Sequence, residues 1–265
     1  MAGNLTRLGR RAGLVASVGE DDMGQFLLRF VKDLGLDIRG VQQVDLPSTL
    51  ILVTRSREVS NFEAYRLADC QITEQQITDE LLAGLKIFHT TCFALSQEPA
   101  RSAILTAASK VVQAGGQVSI DANYAAKIWP DQQEAQAIVA QYCAGGALVK
   151  FSEVDWERLY GHPLNDAEKA ANYLHQLGAK TVCLTFGDKG SFVSNNGEQH
   201  FLEARKVQVK DTTGAGDAFW SGFLCAHLDG KSLLTCAKAG RRMAELKLGH
   251  FGPLPAKVER EELYD

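Results

Sequence analysis

Five short apolar runs punctuate the chain: "GLVASV" (13–18), "LKIFHT" (85–90), "GQVSID" (116–121), "GALVKF" (146–151) and "KTVCLTF" (180–186). Each is rich in Val, Ile, Leu or Phe and too short for a typical helix, which predicts buried strands. Between most of them lie stretches with helical spacing of apolar positions: "MGQFLLRFVKDLG", "PARSAILTAASKVVQAG", "QQEAQAIVAQYCAG" and "DAEKAANYLHQLG". Apolar strands alternating with amphipathic helices predict an α/β fold whose parallel sheet is covered on both faces. Gly115, Gly145 and Gly178 follow three of the helices, where C-terminal caps belong. Two regions break the rhythm. Residues 38–66 hold strand-like pieces and no helix, which predicts a small β excursion flanking a site. "GSFVSNNGEQHFLEA" predicts a hairpin turning at Asn195-Asn196-Gly197.

Composition narrows the function classes. The 265 residues suit one large α/β domain, 1–265, with a small appendage, and 45% hydrophobic content supports a sizeable core. A formal net charge of -4 argues against a nucleic-acid surface, which needs clustered Lys and Arg. No run approaches the roughly 18 consecutive apolar residues of a membrane span. The six cysteines are scattered without a CxxC pair, and most sit in apolar stretches such as "TVCLTF" and "GFLCAHL". Buried free thiols in a cytoplasmic protein are therefore expected. The histidines show no HxxxH or HExxH spacing, so neither His nor Cys is expected to ligate a metal.

Two nucleotide motifs are incomplete. Gly230-Lys231-Ser232 resembles the end of a Walker A loop, but the earlier glycine would fall at Cys225. "GAGDAF" resembles a dinucleotide-binding turn, yet its third glycine position is Phe219, too large for close helix–strand packing. The run "DTTGAGDAFWSGF" (211–223) carries more chemistry. On the plain reading, Asp211 and Thr213 are turn or cap residues and Asp217 answers a helix dipole. Three features favour a site. The helix beyond Asp217 is apolar on nearly every face, so it should be buried with Asp217 facing a crevice. Gly214, Ala215 and Gly216 leave their amide groups unshielded, suited to an oxyanion or phosphate. A carboxylate base beside an anion-holding turn is what phosphoryl transfer to an alcohol requires.

This run resembles the C-terminal signature of the ribokinase-like carbohydrate kinases, the PfkB family. The resemblance implies a doubly wound, mostly parallel α/β core with a β lid, here the 38–66 excursion. It implies ATP as phosphoryl donor, Mg²⁺ and often a monovalent cation such as K⁺. Asp217 matches the family's catalytic base, Gly214, Ala215 and Gly216 its anion hole, and Asp211 the residue beside the monovalent cation. The segment "EAYRLAD" resembles a lid segment of the fructokinase and 2-keto-3-deoxygluconate kinase branches, where an Arg like Arg66 can reach the sugar; the plain alternative is a solvated edge-strand Arg. "SIDANYAAKIWP" resembles that branch's D-x-N run, with Asp121 and Asn123 at a strand end beside the sugar. "LTFGDKGSFV" is similar to the nucleotide segment, with Thr185, Gly187 and Gly190 near ATP.

Four departures stand out. The family's N-x-x-E, which organises Mg²⁺ and phosphates, is Ser152-Glu153-Val154-Asp155 here, so Ser152 and Asp155 take those roles with shorter side chains. Ala125 replaces an expected Arg, and Arg241 and Arg242 stand where small residues line the adenine side. The family begins with a strand bearing a sugar-binding Asp and a Gly-Gly segment. This chain resembles the family only from the helix that follows, as a truncated product or a start assigned too late would. The resulting expectation is an ATP-dependent kinase of a sugar or sugar acid, forming a homodimer through the lid, with neither nucleic acid nor membrane as partner. The alternative from a different class is a catalytically impaired kinase fold that binds sugar or nucleotide. It would be stabilised by ATP without releasing ADP.

Overall fold

A computed structural model describes residues 1–55, 60–195, 197–254 and 258–264. Asn196 of the expected hairpin turn and residues 56–59 of the expected lid lie outside the described residues. The chain opens with helix α1 (Ala2–Arg7), strand β1 (Gly13–Gly19), helix α2 (Asp22–Asp33) and strand β2 (Asp37–Val44). β1 and β2 pair in parallel as a sheet of their own. Strands β3 (Leu50–Arg55) and β4 (Ser60–Tyr65) make a separate antiparallel pair. A short helix α3 (Asp79–Leu82) leads into the repeating unit. That unit runs β5 (Ile87–Thr91), α4 (Ala100–Gln113), β6 (Gln117–Asp121), α5 (Gln132–Ala144) and β7 (Leu148–Ser152). It continues through α6 (Glu153–Tyr160), α7 (Ala167–Gln176) and β8 (Thr181–Thr185). The hairpin β9 (Gly190–Asn195) and β10 (Glu198–Glu203) follows, and α8 (Ala215–Leu228) and α9 (Leu233–Leu248) come last.

The main sheet has the order β10-β9-β8-β7-β6-β5, with β5 to β8 parallel and the hairpin antiparallel at one edge. Successive strand residues face opposite ways, and the two faces bury different helices. Val118, Ile120, Val149, Phe151, Val182 and Leu184 pack with α4, α5, α6 and α7. Leu148, Cys183 and Val193 pack with α8, α9 and Leu8 on the other side. This is the doubly wound α/β arrangement that the alternating pattern predicts.

The structure corrects three local expectations. β1 is half-buried rather than fully buried, because among the described residues β2 is its single strand neighbour. Helix α2 buries Gly24 alone, and Met23, Phe26 and Phe30 are exposed, so its apolar stripe does not face the sheet core. Of the glycines read as caps, Gly115 and Gly178 take left-handed backbone, but after α5 it is Gly146, not Gly145, that does so. All six cysteines are free and buried.

α8 is buried from Ala218 through Ala226, as its apolar surface predicts. It lies against α9 so closely that a Cβ on Gly222 would stand 2.5 Å from the Ala239 carbonyl oxygen. Gly→Ala in a helix interior ordinarily gains about 1 kcal/mol, whereas overpacking costs about 1–3 kcal/mol. Gly222→Ala is therefore expected to lower stability, seen as a drop in the urea midpoint at unchanged m-value. An unchanged or raised midpoint contradicts the close packing.

Candidate active site

The sheet face toward α8 turns polar at the C-terminal ends of the strands. Alternation places His89 and Thr91 of β5, Ser119 and Asp121 of β6, Lys150 and Ser152 of β7, and Thr185 of β8 on this side. Strand register sets His89 beside Ser119, Asp121 beside Lys150, and Ser152 beside Thr185. Trp220 of α8 donates from Nε1 to the Ser119 hydroxyl (2.9 Å), which lies 3.0 Å from His89 Nδ1. The Ser119 proton is then left for Nδ1, which keeps the imidazole proton on Nε2. Burial pushes the His89 pKa down to about 4, against the pull of Asp217.

Lys150 Nζ donates to both carboxylate oxygens of Asp121, each at 2.9 Å, and both side chains are buried. Burial alone would lower the lysine's pKa, but the Asp121 carboxylate overrides it and raises it. This ammonium lies directly under the first turn of α8, where a Cβ on Gly216 would come within 3.3 Å of Nζ. Gly214, at φ 80°, is the left-handed N-cap residue of α8. Asp217 is the third residue of the helix, and its side chain is 49% exposed. It is an open carboxylate, more accessible than a crevice-buried one. The Met1 amino nitrogen lies 3.9 Å from Asp217 Oδ2.

A second lysine flanks the same turn. Lys247 of α9 donates to Asp211 Oδ2 (3.1 Å), and its Cε would be 3.8 Å from a Cβ on Gly214. The Thr213 amide donates to Asp211 Oδ1 (3.0 Å). Hydrogen bonds from Thr213, aided by Lys247, hold the Asp211 carboxyl far below the usual carboxylate range. An ammonium already on this carboxylate does not fit the monovalent cation that the family resemblance implies there.

Ser152 caps α6: its hydroxyl accepts from the Asp155 amide (3.0 Å) and donates to the Asp155 carboxylate (2.5 Å). Burial raises the Asp155 pKa, opposed by Ser152 and Lys150. Thr185 donates to the Phe151 carbonyl (3.3 Å), and Gly187 opens the turn that follows. At Gly190 a Cβ would meet the Leu202 carbonyl at 2.2 Å, so the β9–β10 approach alone requires glycine there.

Arg66 is not a solvated edge residue. Its side chain is 5% exposed, pairs with Asp69 (2.7 Å), bonds Ser96, and lies 4.2 Å over the Phe93 ring. Asn123 Oδ1 accepts from the Phe93 amide (3.3 Å), so Arg66 and Asn123 meet at the same residue. Asp121 stands apart from them with Lys150. Arg241 donates to the Glu203 carbonyl (3.1 Å), and Arg242 is exposed toward a cleft shared with Arg205 and Lys238. Lys150, Lys247 and His89 were not singled out from the sequence. A lysine inside the buried run "ALVKF" was the one available signal, since lysine is almost never buried unless paired.

Two outcomes test this electrostatic picture. Lys150→Met leaves Asp121 buried without its counter-charge and is expected to cost about 3–5 kcal/mol. Adding Asp121→Asn should recover much of that loss in urea melts. An unfolded histidine titrates near 6.5, while His89 stays neutral down to about 4 when folded. The unfolded state therefore binds the extra proton, and stability falls as pH drops through this window. His89→Gln should make that decline shallower in melts at stepped pH, and an identical slope refutes the burial of a neutral imidazole.

The profile of the pfkB family carbohydrate kinases matches residues 1–259. The ATP-dependent 6-phosphofructokinase of Thermoanaerobacterium thermosaccharolyticum is 33% identical over 253 residues, covering 95% of this chain and 77% of that protein. Aminoimidazole riboside kinase from Salmonella enterica was solved with aminoimidazole riboside and an ATP analogue. It superposes with a TM-score of 0.84 at 25% identity, covering 99% of this chain and 88% of its own. A fructokinase double mutant from Vibrio cholerae O395, solved with fructose, ADP and potassium ion, gives a TM-score of 0.85 at 25% identity. It covers 99% of this chain and 87% of its own. The chain belongs to the pfkB family of carbohydrate kinases, phosphotransferases built on the ribokinase-like α/β fold.

Proposed function

We propose that the chain transfers the γ-phosphoryl group of ATP to a hydroxyl of a small sugar, with Asp217 as general base. One observation carries this reading. An open carboxylate stands in the first turn of a helix whose N-terminus is flanked by two buried ammonium groups, at the C-terminal ends of parallel strands. Open α/β sheets bind their ligands at those ends.

In this reading Asp217 removes the hydroxyl proton as the sugar oxygen bonds to the γ-phosphorus and the bond to ADP breaks. The Ala215 amide already donates to the Thr212 carbonyl (3.2 Å), so of the three expected amides those of Gly214 and Gly216 hold the charge on the moving group, with Lys150 behind Gly216 adding positive potential. Asp121 keeps that ammonium charged and in place, a positioning role rather than the direct sugar contact first expected. Thr185, Gly187 and Gly190 border the nucleotide. The Asp155 carboxylate and Ser152 hydroxyl are oxygen donors of the kind Mg²⁺ takes, and Mg²⁺ neutralises phosphate charge when it is bound. Arg66 and Asn123, joined through Phe93, border the sugar. The ligands of the related solved proteins support fructose or a riboside as substrate. The exposed Leu50, Ile51, Leu52 and Val53 of β3 support a homodimer that covers the β3–β4 pair.

A coupled ADP-release assay over fructose, aminoimidazole riboside, fructose 6-phosphate and 2-keto-3-deoxygluconate tests the activity. Sugar-dependent ADP release is expected with at least one of them, and none with any sugar defeats the reading. Asp217→Asn should lower kcat by ~10²–10⁴, the usual weight of a general base, while ATP affinity by calorimetry changes little. Wild-type turnover in that variant removes Asp217 from the role.

A further inference from the structure

Lys247 makes contacts of the kind a bound metal ion makes. Its Nζ lies 3.1 Å from Asp211 Oδ2 and 3.3 Å from the His250 carbonyl oxygen, and both charged side chains are about 8% exposed. The contact is long-range: it joins the loop before α8 to the last turn of α9. The stem of Lys247 passes beneath Gly214, and Asp211 in turn holds the Thr213 amide. One ammonium thus braces the loop and its left-handed glycine from below. Potassium and ammonium ions are of similar size, and both are held by carbonyl and carboxylate oxygens. A metal ion on the same oxygens would stand against the ammonium and be repelled by it.

We infer that Lys247 is a tethered substitute for the monovalent cation expected beside Asp211, so that the α8 N-terminal turn is braced without K⁺. Lys247 acts through the 211–214 loop and is a positioning residue. The activity arm of its test rests on the proposed kinase reaction, and the stability arm does not.

The experiment compares choline, sodium and potassium chloride at equal ionic strength. The wild-type melting temperature is expected to be the same in all three, and its kcat/KM on whichever sugar is phosphorylated the same within about twofold. Lys247→Ala removes the ammonium from beside Asp211 and opens the space. In choline it should lose roughly 5–10 °C in melting temperature and roughly 10–100-fold in turnover as the turn is misplaced. Potassium or ammonium ions should restore both, and sodium less. Lys247→Met, which fills the space without charge, should lose both and not be rescued. A K⁺-specific rise in wild-type melting temperature or activity overturns the inference, and that measurement needs no variant to fold. Failure of K⁺ to restabilise a folded Lys247→Ala also overturns it. If no sugar is phosphorylated, the kinase reading fails by itself, and the melting comparison still decides the cation question.

Discussion

A buried ammonium must be paired, and this molecule uses that rule twice around one helix turn. Lys150 comes from the middle of the sheet and Lys247 from the packed face of α9, and each is fixed by a carboxylate from another element. The two pairs hold β6 to β7 and the pre-α8 loop to α9, which leaves the N-terminus of α8 little freedom to shift. Glycine at 214 and 216 follows from the same constraint. A side chain at 216 would press on the Lys150 ammonium, and one at 214 would carry a strained backbone. Because each lysine is already balanced by a carboxylate, the turn gains polarity without a large net charge. Within the turn itself the Ala215 amide donates to the Thr212 carbonyl (3.2 Å), which closes the bend that precedes the helix.

The same strands serve two ends through simple alternation. Toward α4, α5, α6 and α7 they present Val, Ile, Leu and Phe, and that face is the larger core. Toward α8 they present apolar residues at one end and His89, Ser119, Asp121, Lys150 and Ser152 toward the other. Trp220 is the hinge between these regions. Its ring is fully buried against Phe223 while its indole nitrogen reaches Ser119. Placement of Asp217 therefore depends on apolar packing one turn further along its own helix.

Local signals were legible in the sequence and long-range ones were not. The run from Asp211 to Phe223 announces a glycine turn, a carboxylate and a buried helix, because all three are written in adjacent residues. The strand–helix alternation gave the layered core for the same reason. The pairing of Lys150 with Asp121, 29 residues away, and of Lys247 with Asp211, 36 residues away, depends on which strands and helices become neighbours. Nothing in either local stretch states that. Helix α2 failed differently: its apolar stripe has the right period, but periodicity cannot say whether a core lies opposite Phe26 and Phe30. The burial of Arg66 over Phe93 is likewise a contact between distant segments that the local stretch around Arg66 does not state.

The six buried thiols have a consequence for chemistry on the intact chain. Burial pushes Cys70 up to about 11 and Cys92, Cys143, Cys183 and Cys236 up to about 12, so little thiolate exists near neutrality. Alkylating reagents and mild oxidants therefore meet these sulfurs mainly when the surrounding layer opens. Cys143 sits on the buried side of α5, Cys183 inside the sheet, and Cys236 on α9. The rate at which each is modified becomes a separate clock for the breathing of its own layer.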